Sequence, residues 1–447
     1  MQVIFVVVLL ALIGIQGRAA ADGAFPDSLQ ILLPASHPQR IVLATNFGLI
    51  ISEDDGATWE WACEPRSDDN TILYQQAAAP SDRMFAVLIN HGLVYSDDAA
   101  CTWTRSGGTL AAASARDAFA DPSNPARIFA VGAEPADGFV PSSVFRSDDA
   151  GLTFGAALDT APLGGDMLGV ESAASDPATV YLAIYGTMGS VPGLLEPLLG
   201  RSSDGGAHWT RSSLATALGA NAFRIIAVDP TNPQRLFLRV TESYGEKVAV
   251  SNDGGQNLTE PAAVNEQFTS FVRLPNGTLL LGGSDSGKGV IFRSTDGGAS
   301  FQALPSSPAP PHLRALAERN GKLYAAADNF IDHFALGVSS DQGATFQPLL
   351  TFDQVKRIKP CVQQVCRDVC DNLAGLTLWP AQVCGGSASL PEPPPAQGKS
   401  GCGCDTARQA SAPETFAPAA LLQLAVLAAL LGLRPRRPLK RRSHLPN

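Results

Sequence analysis

The chain has 447 residues, of which 42 are Gly and 33 Pro, with 7% aromatic residues and a formal net charge of −10. Such length and turn-rich composition exclude a single small core and a long-helix architecture, and favour one large domain of many short strands. Arg18 lies in the leader and Arg434, Arg436, Arg437, Lys440, Arg441 and Arg442 lie in the tail, so 25 basic residues stand against 42 acidic ones elsewhere, near −17; a surface this acidic disfavours nucleic acid as a partner.

Residues 1–21 read as a signal peptide. The apolar run MQVIFVVVLLALIGI is followed by Ala19, Ala20 and Ala21, small residues of the kind a signal peptidase accepts, which starts the mature chain near Asp22. From residue 27 to residue 355 internal repetition dominates. Seven segments share, with lapses, the pattern Ser-x-Asp-x-Gly-x-(Thr or Ser)-aromatic, beginning at Ser52, Ser96, Ser147, Ser202, Ser251, Ser294 and Ser339. Their starts are 44, 51, 55, 49, 43 and 45 residues apart, the period of one four-stranded blade. Upstream of each lies a Pro/Asn turn entering an apolar strand, from HPQRIVLA at His37 to RNGKLYAA at Arg319. A blade therefore reads as inner strand A, a turn, strand B, a loop, strand C, the repeat turn and strand D. The ring starts at Ser28 and ends near Phe352, so blade one packs on blade seven without a swapped strand.

The motif explains its own spacing. Asp54, Asp98, Asp149, Asp204, Asp253, Asp296 and Asp341 accept hydrogen bonds from turn amides, the Gly two positions on adopts positive φ without a Cβ penalty, and the aromatic plugs between sheets. None of this requires a substrate. Ala100 replaces the Gly in the second copy and Leu258 the aromatic in the fifth.

These motifs are similar to Asp-boxes, and residues 27–355 resemble the Asp-box (BNR) propellers of sialidases, xyloglucanases, sortilin-type receptors and photosystem II assembly factors. The resemblance implies an all-β, seven-bladed β-propeller with four-stranded antiparallel blades. It also implies a working face opposite the repeat turns, made by the B–C loops and the tops of the A strands. It does not select an activity.

Aligned on their Asp-Pro turns, the A strands place Tyr74, Arg116, Glu171 and Arg224 in one layer near the channel mouth, with Arg314 one residue off register. Mixed Arg and Glu there can hold an anionic or polyhydroxy ligand, or form an ion-pair ring between blades. Blade three inserts GAEPADGFVPSS and blade four GTMGSVPGLLEPLLG in the same loop. The second insert exposes Met188, Leu194, Leu195, Leu198 and Leu199 as a candidate interface, unless a short helix folds them onto the rim. Glu134, Asp137, Glu171, Glu196 and Glu242 are the working-face carboxylates a two-carboxylate glycosidase would draw on. The Phe-Arg-Ile-Pro phrase of sialidases is missing, since Phe223-Arg224-Ile225-Ile226 lacks the Pro and lies in the fifth blade. No cofactor or metal is implied.

In an exported chain an even number of Cys reads as disulfides, and there are eight. Cys63 follows blade one and Cys101 lies in the second repeat turn, which makes them expected partners across one blade interface. Cys361, Cys366, Cys370 and Cys384 fall in a helical, Cys-rich segment over 356–384 with two internal disulfides of open connectivity, a metal site being the alternative. Residues 385–400 form a Pro/Gly-rich linker. Over 401–447, Cys402 and Cys404, an apolar helix from Ala417 to Leu433 and a basic tail resemble the MYXO-CTERM sorting signal, which implies cleavage near those Cys and retention at the cell surface with a lipid; a plain transmembrane anchor is the alternative. The expected function is a non-catalytic, exported, surface-anchored propeller binding a protein or glycan partner; the alternative is a sialidase-like or xyloglucanase-like glycoside hydrolase.

Overall fold

A computed structural model of the protein describes residues 26–66, 69–133, 141–162, 165–187, 195–305 and 311–385. The expected signal peptide, residues 386–400 of the expected linker, the expected C-terminal apolar helix, Cys402 and Cys404 lie outside them. Seven antiparallel sheets follow one another along the chain, over residues 28–62, 71–105, 114–160, 166–213, 223–264, 267–303 and 313–350. Their first strands touch each other in a ring, the strand of blade seven meeting that of blade one, which makes them the inner strands of a seven-bladed β-propeller. Strand B is buried on both faces in Ile41–Thr45, Met84–Leu88 and Ile128–Ala133, which is why its sequence is a continuous apolar run rather than an alternation.

All seven repeat turns have one hydrogen-bond pattern. The Ser hydroxyl donates to the Asp and accepts the amide four residues on, as in Ser339 Oγ to Asp341 Oδ1 at 2.7 Å and Gly343 N to Ser339 Oγ at 2.9 Å. The Asp carboxylate accepts both the amide and the side chain four residues further, as from Thr345 N at 2.8 Å and Thr345 Oγ1 at 2.6 Å. His208, Asn257 and Ser300 supply the same donors where Thr is absent. Ala100 adopts the left-handed conformation that Gly occupies elsewhere, at φ 69°.

These bonds hold all seven carboxylates below the usual range, and the hydroxyl of Thr345 with its amide brings Asp341 to about 2. A carboxylate with a depressed folded pKa stabilises the fold above its unfolded value of about 4, and that contribution is lost as pH falls through the folded value. The midpoint of thermal unfolding is therefore expected to fall steeply between about pH 4 and pH 2. Asp341→Asn should flatten that limb while lowering stability at neutral pH, as read by circular dichroism melts across pH.

The Cys-rich segment departs from expectation. Arg357–Ile358 adds a fifth, parallel strand to the outer edge of blade one, and the helix Gln363–Gly375 packs on that blade. Cys63 pairs with Cys366, Cys101 with Cys361, and Cys370 with Cys384. The expected Cys63–Cys101 bridge is thus incorrect, as is the expectation of two bridges within the segment. Each of the two propeller Cys reaches the returning chain instead, because the added strand brings Cys361 and Cys366 to the outer edges of blades one and two. Trp379 then covers the blade, 5.2 Å from Trp61 and 5.9 Å from Phe47 between ring centroids. Among the described residues no helix is long and apolar enough to cross a membrane.

Candidate functional site

Every inner strand carries one extra residue that breaks its pairing with strand B: Leu29, Ile72, Arg116, Leu168, Ile226, Thr269 and Arg314. A bulge re-aims the side chains on either side of it. In blade five it lies closer to the following Asp-Pro turn than in blade three, so counting back from that turn misplaces the layer. By cross-strand partners, Asp117 (opposite Val131), Arg224 (opposite Arg239) and Ser270 (opposite Gly282) share one level, each partner standing three residues into its own strand B. Glu171, opposite Tyr181, lies one strand over and two residues deeper than that level.

The expected layer is corrected accordingly. Tyr74 is fully buried beside Trp103 and does not reach the channel; burial pushes its hydroxyl far above the usual phenol range. Arg116 is a bulge residue whose guanidinium pairs with Asp166 of blade four, itself held by Ser142. Arg314, in the equivalent bulge of blade seven, pairs with Asp27 at 2.8 Å and with Asp328 at 3.4 Å, joining blades seven and one. Arg224 is exposed and donates to the carbonyl of Leu168 across the junction of blades four and five. Arg116 and Arg224 thus pair with neighbours other than Glu171, and no Arg116–Glu171–Arg224 ring forms.

Leu198 is also corrected. It lies in the strand Glu196–Ser202, wholly buried with Leu199, because the chain after residue 195 is strand C of blade four and not loop. Leu195 is partly buried, while Met188 and Leu194 lie outside the described residues, as do Glu134 and Asp137. Glu196 accepts from Ser213, and Glu242 pairs with Lys247 at 2.9 Å.

The residue that sequence reasoning missed is Asp117. Its Oδ2 accepts the amide of Val170 at 3.1 Å, and the bare Cα of Gly169 makes room for it, since a Cβ there would stand 3.2 Å from the same oxygen. Burial raises Asp117 to about 6, against the hydrogen bond from Val170 and the charge of Arg224. Glu171 is pushed well above the carboxylate range by burial and by the charge of Asp117, and no side-chain hydrogen bond opposes this. The one available signal was an Asp beside Arg116 in an otherwise small and apolar strand, SARDAFA. Burial disfavours the charged form of both groups and each charge opposes the other, so the two carboxyl groups titrate as a coupled pair in which Glu171 holds its proton well above the usual carboxylate range. Among the described residues no group of His, Cys, Asp and Glu is placed to hold a metal.

No family model matches the chain. It is 30% identical over 191 residues to a xyloglucanase of Acetivibrio thermocellus, a match covering 35% of this chain and 22% of that enzyme. The matched stretch is thus less than a quarter of the relative's length. Similar solved structures include an ancestral GH74 enzyme (15% identity, TM-score 0.48, 73% of this chain and 49% of that one). YCF48 from Cyanidioschyzon merolae is another (13% identity, TM-score 0.41, 68% and 94%). These likenesses concern the propeller fold and nothing finer.

Proposed function

We propose that this chain is an exported Asp-box propeller that engages a polysaccharide at the channel mouth of blades three to five and hydrolyses a glycosidic bond there. The observation that carries the reading is the pair Asp117 and Glu171, two neighbouring carboxyl groups on the inner strands of blades three and four whose burial pushes both upward and whose proximity disfavours ionising both at once. In this reading Glu171 gives its proton to the glycosidic oxygen as the bond to the anomeric carbon breaks. Water, the second substrate, attacks that carbon and loses its proton to Asp117; solvent then returns each group to its starting state. Similarity to a xyloglucanase supports this over the non-catalytic reading and suggests xyloglucan as the first polysaccharide to try. The non-catalytic binding module is kept as a second reading because the match reaches only 22% of that enzyme.

Three disulfides, two of them between distant parts of the chain, support an oxidising compartment outside the cytoplasm. Surface anchoring through a MYXO-CTERM-like signal with Cys402 or Cys404 lipidated is part of the same proposal; mass spectrometry of the membrane-associated protein tests it.

Hydrolysis is tested by incubating the full chain with xyloglucan and with sialylated and acidic glycans, and measuring new reducing ends. The expected pH profile is bell-shaped, its acidic limb near pH 6 where Asp117 ionises and its basic limb higher, where Glu171 loses its proton. Binding without new reducing ends at any pH favours the second reading.

A further inference from the structure

The inner strand of blade four carries its bulge where it passes Asp117: Leu168 is the extra residue between Met167, opposite Ile184, and Gly169, opposite Ala183. A bulged residue is left out of the ladder, so its placement rests on whatever else it touches. Here two side chains grip the backbone from opposite sides. Arg224 of blade five donates from Nη1 to the carbonyl of Leu168, and Asp117 of blade three accepts the amide of Val170 at 3.1 Å. Glu171 follows Val170 directly, so the segment that Arg224 holds also carries the second carboxyl group.

The charge of Arg224 falls unevenly on the pair. Burial raises Asp117, opposed by the amide of Val170, the charge of Arg224 and the amide of Ala118. Burial and the charge of Asp117 raise Glu171, and no cation opposes them. Position along the channel agrees with this, since Arg224 and Asp117 stand at one level and Glu171 lies two residues deeper. The other charges beside the pair, Arg116 on the strand of Asp117 and Asp166 at the start of the blade-four strand, are paired with each other. Among the described residues Arg224 forms no ion pair, which leaves its charge to act on Asp117 through space. An arginine stays protonated across the pH range of interest, so the bias it imposes does not itself titrate.

From this we infer that Arg224 is a positioning residue of the carboxyl pair: it fixes the blade-four bulge that presents the Val170 amide to Asp117 and sets its own charge on the Asp117 side, so that a single negative charge on the pair sits on Asp117 and the proton on Glu171. The inference rests on the hydrolytic reading proposed above, in which it makes Asp117 the base and Glu171 the acid.

The test follows Asp117 itself. In the full chain carrying isotopically labelled valine, the Val170 amide resonance reports ionisation of Asp117; the peak is identified by its loss in Val170→Ile, and its pH response should vanish in Asp117→Asn. Arg224→Met, which keeps the length of the side chain but removes its charge and its donors, should raise the midpoint of that response by about one pH unit, the low end of what a neighbouring opposite charge contributes. Arg224→Lys, which keeps the charge, should stay within about half a unit of the parent. Where the chain turns over a glycan, the acidic limb of its pH profile should move with the Val170 midpoint, a shift that a merely structural contact would not produce. Thermal melts confirm that the variants are folded. An unmoved or lowered midpoint in folded Arg224→Met overturns the inference, as does a Lys variant that shifts as far as the Met variant, or an acidic limb that stays in place while the midpoint moves. A raised midpoint in a chain that shows no turnover keeps the role of Arg224 in placing the charge and removes the hydrolase.

Discussion

Replacing Glu171 by Gln is expected to lower hydrolysis at least about a hundredfold, the contribution of a positioned proton donor, while leaving oligosaccharide affinity within about twofold. The same substitution should make the protein more stable at pH 7 to 8, and the sign follows from burial. Glu171 titrates well above the carboxylate range because its charged form is desolvated and faces Asp117. An acid whose folded pKa is raised favours the fold while it stays protonated and costs stability as pH rises past its unfolded value of about 4.3. Gln carries no charge to bury, so the cost disappears. Reducing-end assays and melts in parallel decide the matter. Higher stability with unchanged turnover removes Glu171 from the chemistry; lower stability at neutral pH contradicts the burial argument itself. A residue retained at a cost in stability is what a functional site predicts.

The second large effect concerns the returning C-terminal segment. Loss of Cys101–Cys361, by Cys101→Ser with Cys361→Ser, is expected to cost about 3 to 5 kcal/mol of unfolding free energy, because the bridge joins residues 260 apart and restricts a long loop in the unfolded chain. Removing Cys63–Cys366 as well should release the segment. Blade one would then lose the strand Arg357–Ile358 from its edge and the indole of Trp379 from Phe47 and Trp61. Backbone amides in the strand Glu60–Ala62 should exchange with solvent faster, whereas those of blades four to six should not change. Removing only Cys370–Cys384, which closes 14 residues, should cost about 3 kcal/mol or less and spare those amides. Uniform faster exchange across the whole ring would show that the segment holds closure and not one blade.

What the sequence by itself determined is everything that repeats. Seven copies of Ser and Asp at one spacing, six of them with the following Gly, specify seven turns of one kind, because each turn is closed by donors and acceptors within six residues of one another, and a local hydrogen-bond pattern is legible locally. The apolar B strands were legible for a similar reason, since burial on both faces leaves no alternation to misread. Which inner-strand side chains share a level was decided only by the tertiary structure. One bulge shifts the register by a residue, and its distance from the following turn differs between blades, so Arg116 turned aside to Asp166 and Asp117 came to lie beside Glu171. The disulfides follow the same division. That the Cys pair was expected from their even number, eight, and from the expected export of the chain, but which sulfur meets which depended on a strand returning about 300 residues later to the edge of the first blade, a contact between distant segments that no local pattern encodes.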